Sequence, residues 1–265
     1  MKIIDDKVKL IQEKEIEILI EFSEICRKNN LKYYALGGTL LGAVRHNGFI
    51  PWDDDMDLGM PRNDYNKFIE VYYKDLSNNL KLKFKIEDLN NTSIVDTSTE
   101  VIFGQKICNP FIDIFPLDGY PDNKIEKIIH SKKILFYRAL SKISVVDKLL
   151  DRDRGFLENS VFKLSKILKL NKILNTNKIN LKLHEIIKLY EFDNSKIVGN
   201  ILGTYREKEL VPKEVIGEGK LRKFNNTNIN VPSEDHIYLK NIYGNYMILP
   251  KKEKRKGHFV EFFGE

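Results

Sequence analysis

Residues 33–60 read YYALGGTLLGAVRHNGFIPWDDDMDLGM and join a glycine pair to a cluster of four acids. Tyr33 to Leu36 has the composition of a short strand, and the two glycines end it. Thr39 has a side chain that can cap a following helix, which continues to Val44. After a turn, apolar residues at alternate places from Asp55 to Met60 predict a second strand. The acids therefore fall at the beginning of a strand, on a regular stretch of backbone.

Asp53, Asp54, Asp55 and Asp57 occupy four of five consecutive positions. Side chains alternate along a strand, so Asp53, Asp55 and Asp57 should face one side and Asp54 the other. Carboxylates this close repel one another unless a cation lies between them. Their oxygens are the ligands that Mg²⁺ or Mn²⁺ prefers. We predict that Asp55 and Asp57 bind such a metal and that Asp53 supports them.

Residues 111–115 read FIDIF and predict another strand, with one acid among four large apolar residues. A carboxylate in that setting is costly without a partner. If this strand lies beside the one that carries Asp55 and Asp57, Asp113 completes the metal site or accepts a proton from an acceptor hydroxyl. A paired carboxylate in the core, with no part in the chemistry, is the alternative.

The glycine pair stands where a strand meets a helix, and free backbone amides at a helix N-terminus favour anions. Glycine also lets an anion approach the backbone closely. We predict that the phosphate contacts of this site come from Gly37, Gly38, Thr39 and Arg45. His46 fits a phosphate contact and equally fits compensation of the helix dipole, so both interpretations stay open for it.

Helix and strand patterns mix over the first 120 residues, which indicates an α/β (α+β) fold. Further predicted helices cover residues 5–29 and 63–75, and further predicted strands cover residues 80–86 and 101–107. From about Lys124 to Tyr190 the apolar residues have helical spacing, which predicts a helical insertion. The predicted domains are a core at residues 1–121, the insertion at 122–205 and a segment at 206–265 that packs back on the core.

The chain has 265 residues, a net charge of +6 and two cysteines, which excludes a small disulfide scaffold. Cys26 and Cys108 lie far apart in apolar sequence and should be reduced thiols of the core. The N-terminus lacks the apolar core of a signal peptide, and no stretch is apolar enough to span a bilayer. We therefore expect a cytoplasmic protein. The positive charge is typical of a solvated surface and also fits an anionic partner.

The run GGTLLGAVRHNGFIPWDDDMDLGMPRNDY, from Gly37 to Tyr65, resembles the signature of the LicD family of bacterial phosphocholine transferases, which are related to the fukutin-type enzymes of animals. FIDIFPLDGYP (111–121) and YLKNIYGNYMILPKKEKRKGH (238–258) are similar to the middle and closing motifs of the family. The resemblance implies a nucleotidyltransferase-like core with a mixed sheet. The glycine pair and three acids of that superfamily match Gly37, Gly38, Asp55, Asp57 and Asp113. Asp53 matches a further acid of the family.

The resemblance further implies a CDP-linked donor, such as CDP-choline. Phosphocholine, or a related phospho-alcohol such as phosphoglycerol or phosphoribitol, would pass to a hydroxyl of a cell-surface glycan or lipid-linked glycan, and CMP would leave. Aromatic faces hold a quaternary ammonium best, and the candidates, each of which also fits the core, are Trp52, Tyr243, Tyr246 and Phe259. Arg255 and His258 are candidates to close over the bound donor, and they are equally consistent with a solvent-exposed tail. Two cysteines are too few for the zinc loop of some animal relatives, so we predict no zinc.

Two other functions fit parts of the sequence. A true nucleotidyltransferase would use the same acids on a nucleoside triphosphate and release pyrophosphate. A nucleic-acid-binding module fits the basic charge, but basic residues interleave with acids and no binding motif is present, so we expect no nucleic acid. Lysines alternate with apolar residues from Val161 to Leu174, which fits a buried helix or peripheral contact with the inner face of an anionic membrane.

Overall fold

The computed structural model describes residues 2–75, 81–88, 91–103, 106–148, 155–255 and 257. The α-helices are α1 (Lys2–Lys28), α2 (Gly37–His46), α3 (Arg62–Asp75), α4 (Lys124–Ser144), α5 (Phe156–Ile167), α6 (Leu170–Ile173), α7 (Thr176–Ile187), α8 (Lys213–Ile216) and α9 (Asp235–Tyr243). The strands are β1 (Tyr34–Ala35), β2 (Met56–Pro61), β3 (Leu82–Asp88), β4 (Asn91–Asp96), β5 (Val101–Phe103), β6 (Lys106–Cys108), β7 (Phe111–Tyr120), β8 (Ile197–Gly199), β9 (Val211–Pro212), β10 (Lys220–Phe224) and β11 (Thr227–Val231). Short 3-10 helices lie at Val146–Lys148, Arg206–Glu209 and Lys252–Lys254.

The central sheet is mixed, and its strands follow the order β1-β2-β7-β4-β3, with β8 beside β7 and β9 beside β8. β2 and β7 run parallel, whereas β1 is antiparallel to β2 and β4 is antiparallel to β7. The register of the parallel pair aligns Asp57 with Asp113. This sheet and the helices around it confirm the predicted α/β (α+β) fold class.

A buried ion pair joins the chain just after β2 to β7. The Arg62 guanidinium donates through Nε and Nη2 to the two carboxylate oxygens of Asp118, over 2.8 and 2.6 Å. Both side chains are buried, so removing one partner would leave an unpaired charge at a cost of about 3–5 kcal/mol. This bidentate ion pair therefore helps to hold the parallel register of β2 and β7, on which the position of Asp113 depends.

Helix α1 buries the apolar face that its sequence predicts. Val8, Ile11, Ile18 and Phe22 are all buried, and Ile11 packs in one cluster with residues of β5 and β6. Each such side chain contributes about 1.5–3 kcal/mol through its burial. Cys26, near the end of α1, is also buried and free, as is Cys108. The prediction of two reduced core thiols is therefore confirmed, and burial raises the pKa of the Cys26 thiol above its usual range.

The predicted helix cap at Thr39 is wrong. Helix α2 already begins at Gly37, with Leu36 at the N-cap position and no side-chain cap. The Thr39 hydroxyl instead accepts a hydrogen bond from the backbone N–H of Asp57, 2.8 Å away. A contact with a distant strand has replaced the local contact that the sequence suggested.

The strands predicted over residues 80–107 also need correction. The single strand predicted over residues 101–107 is a pair of antiparallel strands, in which Phe103 pairs with Lys106. β4 was not predicted, because its first residues, Asn91, Thr92 and Ser93, are typical of a turn. In the sheet, Thr92 and Ser93 are buried, and pairing on both sides satisfies the backbone of β4.

The described chain divides into two compact units, one from residues 1–118 and 197–265 and one from residues 119–196. The second unit contains α4 to α7, as the predicted helical insertion requires, although the predicted boundaries at 121/122 and 205/206 stay predictions. The Asn123 side chain caps α4, and the Asn175 side chain caps α7. None of the helices in the described ranges is both long and apolar enough to cross a membrane.

Candidate active site

A cleft of about 720 Å³ opens where α2 begins and β2 starts. Its volume lies within the range of pockets that bind small molecules and cofactors. The charged side chains in its wall are Arg45, Asp53, Asp55 and Asp57, and the aromatic ones are Trp52, Tyr205, Tyr243 and Tyr246. Both glycines of the pair, Gly37 and Gly38, complete the wall beside the acids.

The acids alternate around the cleft. Asp53, Asp55 and Asp57 line it, while Asp54 between them is fully buried. Carboxylate oxygens of Asp53, Asp54 and Asp55 lie within 4.8 Å of one another. This is the alternation expected of a strand, although β2 itself begins only at Met56.

Backbone contacts from two elements hold the acids in place. The Asp57 carbonyl accepts from the Leu36 N–H over 3.0 Å, and the Asp57 N–H donates to Thr39. The Gln12 amide of α1 donates to the carbonyls of Ile50 and Asp53, over 3.2 and 2.7 Å. These hydrogen bonds hold the backbone that carries the acids in a rigid position, as a metal or phosphate site requires.

Asp113 lies directly beside Asp57 on the neighbouring strand β7. Adjacent strands are about 4.8 Å apart, and paired residues of a parallel pair point to the same face of the sheet. Asp113 is half-buried, and its Oδ1 accepts a 2.5 Å hydrogen bond from the Ser93 hydroxyl of β4. The sheet thus brings together the acids that the sequence separates by more than fifty residues.

Glu15 of α1 is a buried acid behind this cluster. It is fully buried, and neither of its oxygens has a hydrogen-bond partner within the part of the chain that the structure describes. Burial raises the pKa of Glu15 well above its usual range, and the charges of Asp55, Asp54 and Asp53 raise it further. Clustered carboxylates with an orphaned carboxyl behind them fit a divalent cation, because its charge would offset their repulsion.

The glycine pair lies close to the carboxylates of Asp57 and Asp53. Gly37 has φ +48°, which favours glycine, and a Cβ there would lie 3.5 Å from Asp57 Oδ2. A Cβ on Gly38 would lie only 2.8 Å from Asp53 Oδ2. Side chains at these positions would fill the space between the N-terminus of α2 and the acids.

Arg45 and His46 end α2 and differ in their access to the cleft. Arg45 lines it, donating from Nη1 to the Tyr246 carbonyl over 2.7 Å and from Nε to His46 Nε2 over 3.0 Å. His46 is not a lining residue, and its ring lies 6.5 Å from that of Trp52. Burial lowers the pKa of both side chains, and for His46 the charge of Arg45 lowers it further.

The closing motif forms the opposite side of the cleft. Tyr243 packs edge-on against Tyr205, with 5.1 Å between the ring centroids, and burial raises the pKa of Tyr243. The Tyr246 hydroxyl bonds the His236 ring. Arg255 lies over Trp52, with its guanidinium carbon 5.3 Å from the ring centroid, and donates to the Pro250 carbonyl. The predicted residues His258 and Phe259 lie outside the described residues.

Sequence reasoning missed two residues of this site. Tyr205 belongs to no motif, and nothing in its neighbourhood distinguishes it from other exposed tyrosines. The sequence does indicate that Glu15 is unusual. It lies four residues after Ile11 and three before Ile18, on the apolar face of α1, where an acid is costly without a partner.

Comparisons with known proteins identify relatives of this chain. The family profile described as LicD/FKTN/FKRP, nucleotidyltransferase domain, matches residues 30–151. The chain is similar to the lipopolysaccharide cholinephosphotransferase LicD of Haemophilus influenzae, with 30% identity over 255 residues, 93% of each chain. It is 53% identical over 34 residues to the human ribitol 5-phosphate transferase FKRP, covering 13% of this chain and 7% of that protein. It is 42% identical over 67 residues to an uncharacterized protein of Rickettsia typhi, covering 24% and 22%.

Proposed function

This chain belongs to the LicD family and is a phosphotransferase of the LicD type, and we propose that it moves phosphocholine from a CDP-linked donor to a glycan hydroxyl and releases CMP. The observation that carries the proposal is the meeting of three alternate acids with a glycine-led helix N-terminus in one cleft. The acceptor we propose is a cell-surface glycan or its lipid-linked precursor, modified on the cytoplasmic side of the membrane.

The N-terminus of α2 is the proposed binding site for the donor's phosphates. Its first backbone N–H groups and its dipole favour anions, and Gly37 and Gly38 leave room for close approach. Arg45 supplies a positive charge in the same cleft wall. Its side chain is already held by the Tyr246 carbonyl, so little rotamer freedom would be lost on binding.

Asp55 and Asp57 would hold Mg²⁺ or Mn²⁺, with Asp53 in support and Asp113 as a further candidate ligand. When bound, the metal would neutralise phosphate charge and polarise the leaving group. Backbone bonds from Gln12 and Thr39 orient the loop and strand that carry these acids.

The proposed step is an in-line displacement at the phosphorus of the transferred phosphocholine. The acceptor oxygen forms the new P–O bond, and the bond between that phosphorus and the oxygen of CMP breaks. The hydroxyl proton passes to the carboxylate of Asp113 if this residue acts as the base. Its hydrogen bond from Ser93 fixes the carboxylate beside Asp57 for that purpose.

Aromatic side chains support choline as the transferred alcohol. A quaternary ammonium has no N–H to donate and is held best by aromatic faces near a carboxylate. Trp52, Tyr205, Tyr243 and Tyr246 line the same cleft as the acids. The relative that matches over nearly its full length is named for cholinephosphate transfer, whereas the one named for ribitol 5-phosphate transfer matches over a short segment.

The deciding assay supplies magnesium, a mixture of glycan acceptors and one donor at a time. The donors are CDP-choline, CDP-glycerol, CDP-ribitol and CTP, and the products measured are CMP and pyrophosphate. We expect CMP from CDP-choline that depends on the acceptor. Pyrophosphate from CTP, with no CMP from any diphosphate donor, would favour a true nucleotidyltransferase. CMP from CDP-glycerol or CDP-ribitol alone would keep the mechanism and change only the alcohol.

The choline subsite is tested separately by Tyr243→Leu and Tyr205→Leu. Each variant should raise the apparent KM for CDP-choline and leave CMP binding unchanged, because the base and the phosphates would bind elsewhere. Tyr137→Leu in the helical unit serves as a matched control. An equal loss of affinity for CDP-choline and for CMP would show that these tyrosines do not recognise the alcohol.

A further inference from the structure

The positive charge of this protein is concentrated in its helical unit. Residues 119–196 contain 17 of the 44 basic residues and 9 of the 38 acidic ones, a net charge of +8. The rest of the chain has 27 basic and 29 acidic residues, a net charge of −2. The excess of basic residues therefore belongs to one unit, whereas the residues that line the catalytic cleft all belong to the other.

The same unit exposes an unusual amount of apolar surface. Of the 22 large apolar side chains that are exposed in the described ranges, 12 lie between residues 119 and 196. Helices α5 and α6 contribute a run of them that includes Ile167 at 67% and Ile173 at 77% exposure. Contiguous apolar surface of this kind marks an interaction site more often than it marks solvent-facing surface.

Helix α5 has two apolar sides, and only one of them is buried. Phe162 and Ser165 are buried. Val161, Leu164 and Leu168 are at least half exposed, and their spacing of three and four residues places them on a single stripe. Ile167, three residues after Leu164, widens that stripe.

Exposed lysines border this stripe on one side. At about 100° per residue, Lys163 lies next to Ile167 at the edge of the exposed apolar stripe, and Lys166 lies beyond Lys163, toward the buried Phe162. Lys169 and Lys172 continue the series into α6, and all four are exposed. We call this surface the α5–α6 face; its apolar residues are Val161, Leu164, Ile167, Leu168 and Ile173.

We propose that the α5–α6 face lies on the surface of an anionic lipid bilayer. Apolar side chains would enter the boundary between headgroups and acyl chains, while the lysines beside them would contact anionic headgroups. The charge pattern favours lipid over a protein groove, because lysines recur at every third position along an apolar surface without matching acids.

The test measures co-sedimentation of the full chain with vesicles. Vesicles of phosphatidylcholine alone are compared with vesicles that contain about one third phosphatidylglycerol, each at low and high salt. Lys163→Gln combined with Lys166→Gln should weaken binding on the order of 25-fold, because each basic residue near an anionic surface contributes about fivefold. Leu164→Asp combined with Ile167→Asp should abolish binding. Circular dichroism confirms that the variants are folded.

Matched controls lie on the other unit. Ile20→Asp changes an exposed apolar residue of α1, and Lys9→Gln combined with Lys223→Gln removes two exposed lysines. We expect both to bind anionic vesicles like the unchanged protein. Lack of binding at low salt, or equal binding by the α5–α6 variants, would overturn the proposal. So would concentration-dependent dimers that the same substitutions abolish, since a second copy would then cover the face. None of these outcomes bears on the donor assay.

Discussion

At the scale of single residues, Asp55 and Asp57 should decide whether the enzyme turns over its substrate. Asp55→Asn and Asp57→Asn each remove a charged metal ligand while changing little volume. Several kcal/mol of transition-state stabilisation are at stake, so we expect turnover to fall by about a thousandfold or more. CMP release under saturating magnesium measures this, with Asp6→Asn as an exposed control. Near-normal turnover in either variant would contradict the assignment.

Asp113→Asn separates the two roles that remain for Asp113. If Asp113 binds metal, the variant should lose both turnover and the stabilisation by nucleotide and magnesium. If it is only the base, turnover should fall while that stabilisation persists. Thermal melts with CMP, with and without magnesium, distinguish the two results. Full activity would exclude both roles and leave a structural carboxylate bonded to Ser93.

We expect the buried carboxyl of Glu15 to affect the stability of the fold in a way that depends on metal and pH. Glu15→Met keeps the volume and removes an unsatisfied buried carboxyl, so in EDTA it should raise the unfolding free energy by about 1–3 kcal/mol. Because its folded pKa is raised, Glu15 contributes stability below pH about 4.5 that is lost as pH rises. The advantage of the variant should therefore grow with pH. Melting temperatures across pH measure it, with exposed Glu13→Met as control; an advantage that shrinks with rising pH would contradict this account.

At the scale of one element, α4 carries a buried histidine that should respond to acid. His130 is buried between the rings of Tyr120 and Tyr190, each 5.1 Å away between centroids. Burial, together with the charge of Lys133, lowers the pKa of His130 to about 4. An unfolded histidine has a pKa of about 6.5. The neutral ring therefore supports the fold above that pH, and this support is lost as pH falls toward 4.

His130→Phe should remove that part of the acid sensitivity. We expect the melting temperature to fall more steeply between pH 6.5 and 4.5 in the unchanged protein than in the variant. Carboxylates titrate in both proteins, so the difference between the two curves is the quantity to measure. His184→Phe, in the same unit, controls for loss of a histidine that is not fully buried. Parallel curves for His130→Phe and the unchanged protein would show that His130 does not titrate in this range.

At the scale of the whole molecule, ligand binding should appear as stability. CMP with magnesium at about one hundred times its dissociation constant should add about 2.7 kcal/mol. For a unit of 150–250 residues this corresponds to a rise in melting temperature of about 5–10 °C. EDTA should abolish the rise, and so should Asp57→Asn. A similar rise with AMP would argue against a cytidine-linked donor, and a full rise in EDTA would argue against the metal.

Local patterns in the sequence determined much of this protein. The helical spacing of α1, α3 and the insertion, the turn at Asn47, and the alternation of Asp53, Asp55 and Asp57 all follow from neighbours a few residues apart. The φ of +48° at Gly37 likewise accords with a position that glycine alone adopts easily. Such features depend on backbone sterics and periodicity, which act within about one turn or a few strand residues.

Tertiary structure alone decided which distant residues meet. The pairing of Asp57 with Asp113 depends on the parallel register of β2 and β7, and the strand β4 exists because neighbours on both sides satisfy its polar residues. Thr39 bonds Asp57 instead of capping its own helix, Tyr205 packs on Tyr243, and Glu15 comes to lie behind the acids. The physical reason is that register, burial and side-chain contact between distant segments are set by the packing of whole elements, and no local period in the sequence records that packing.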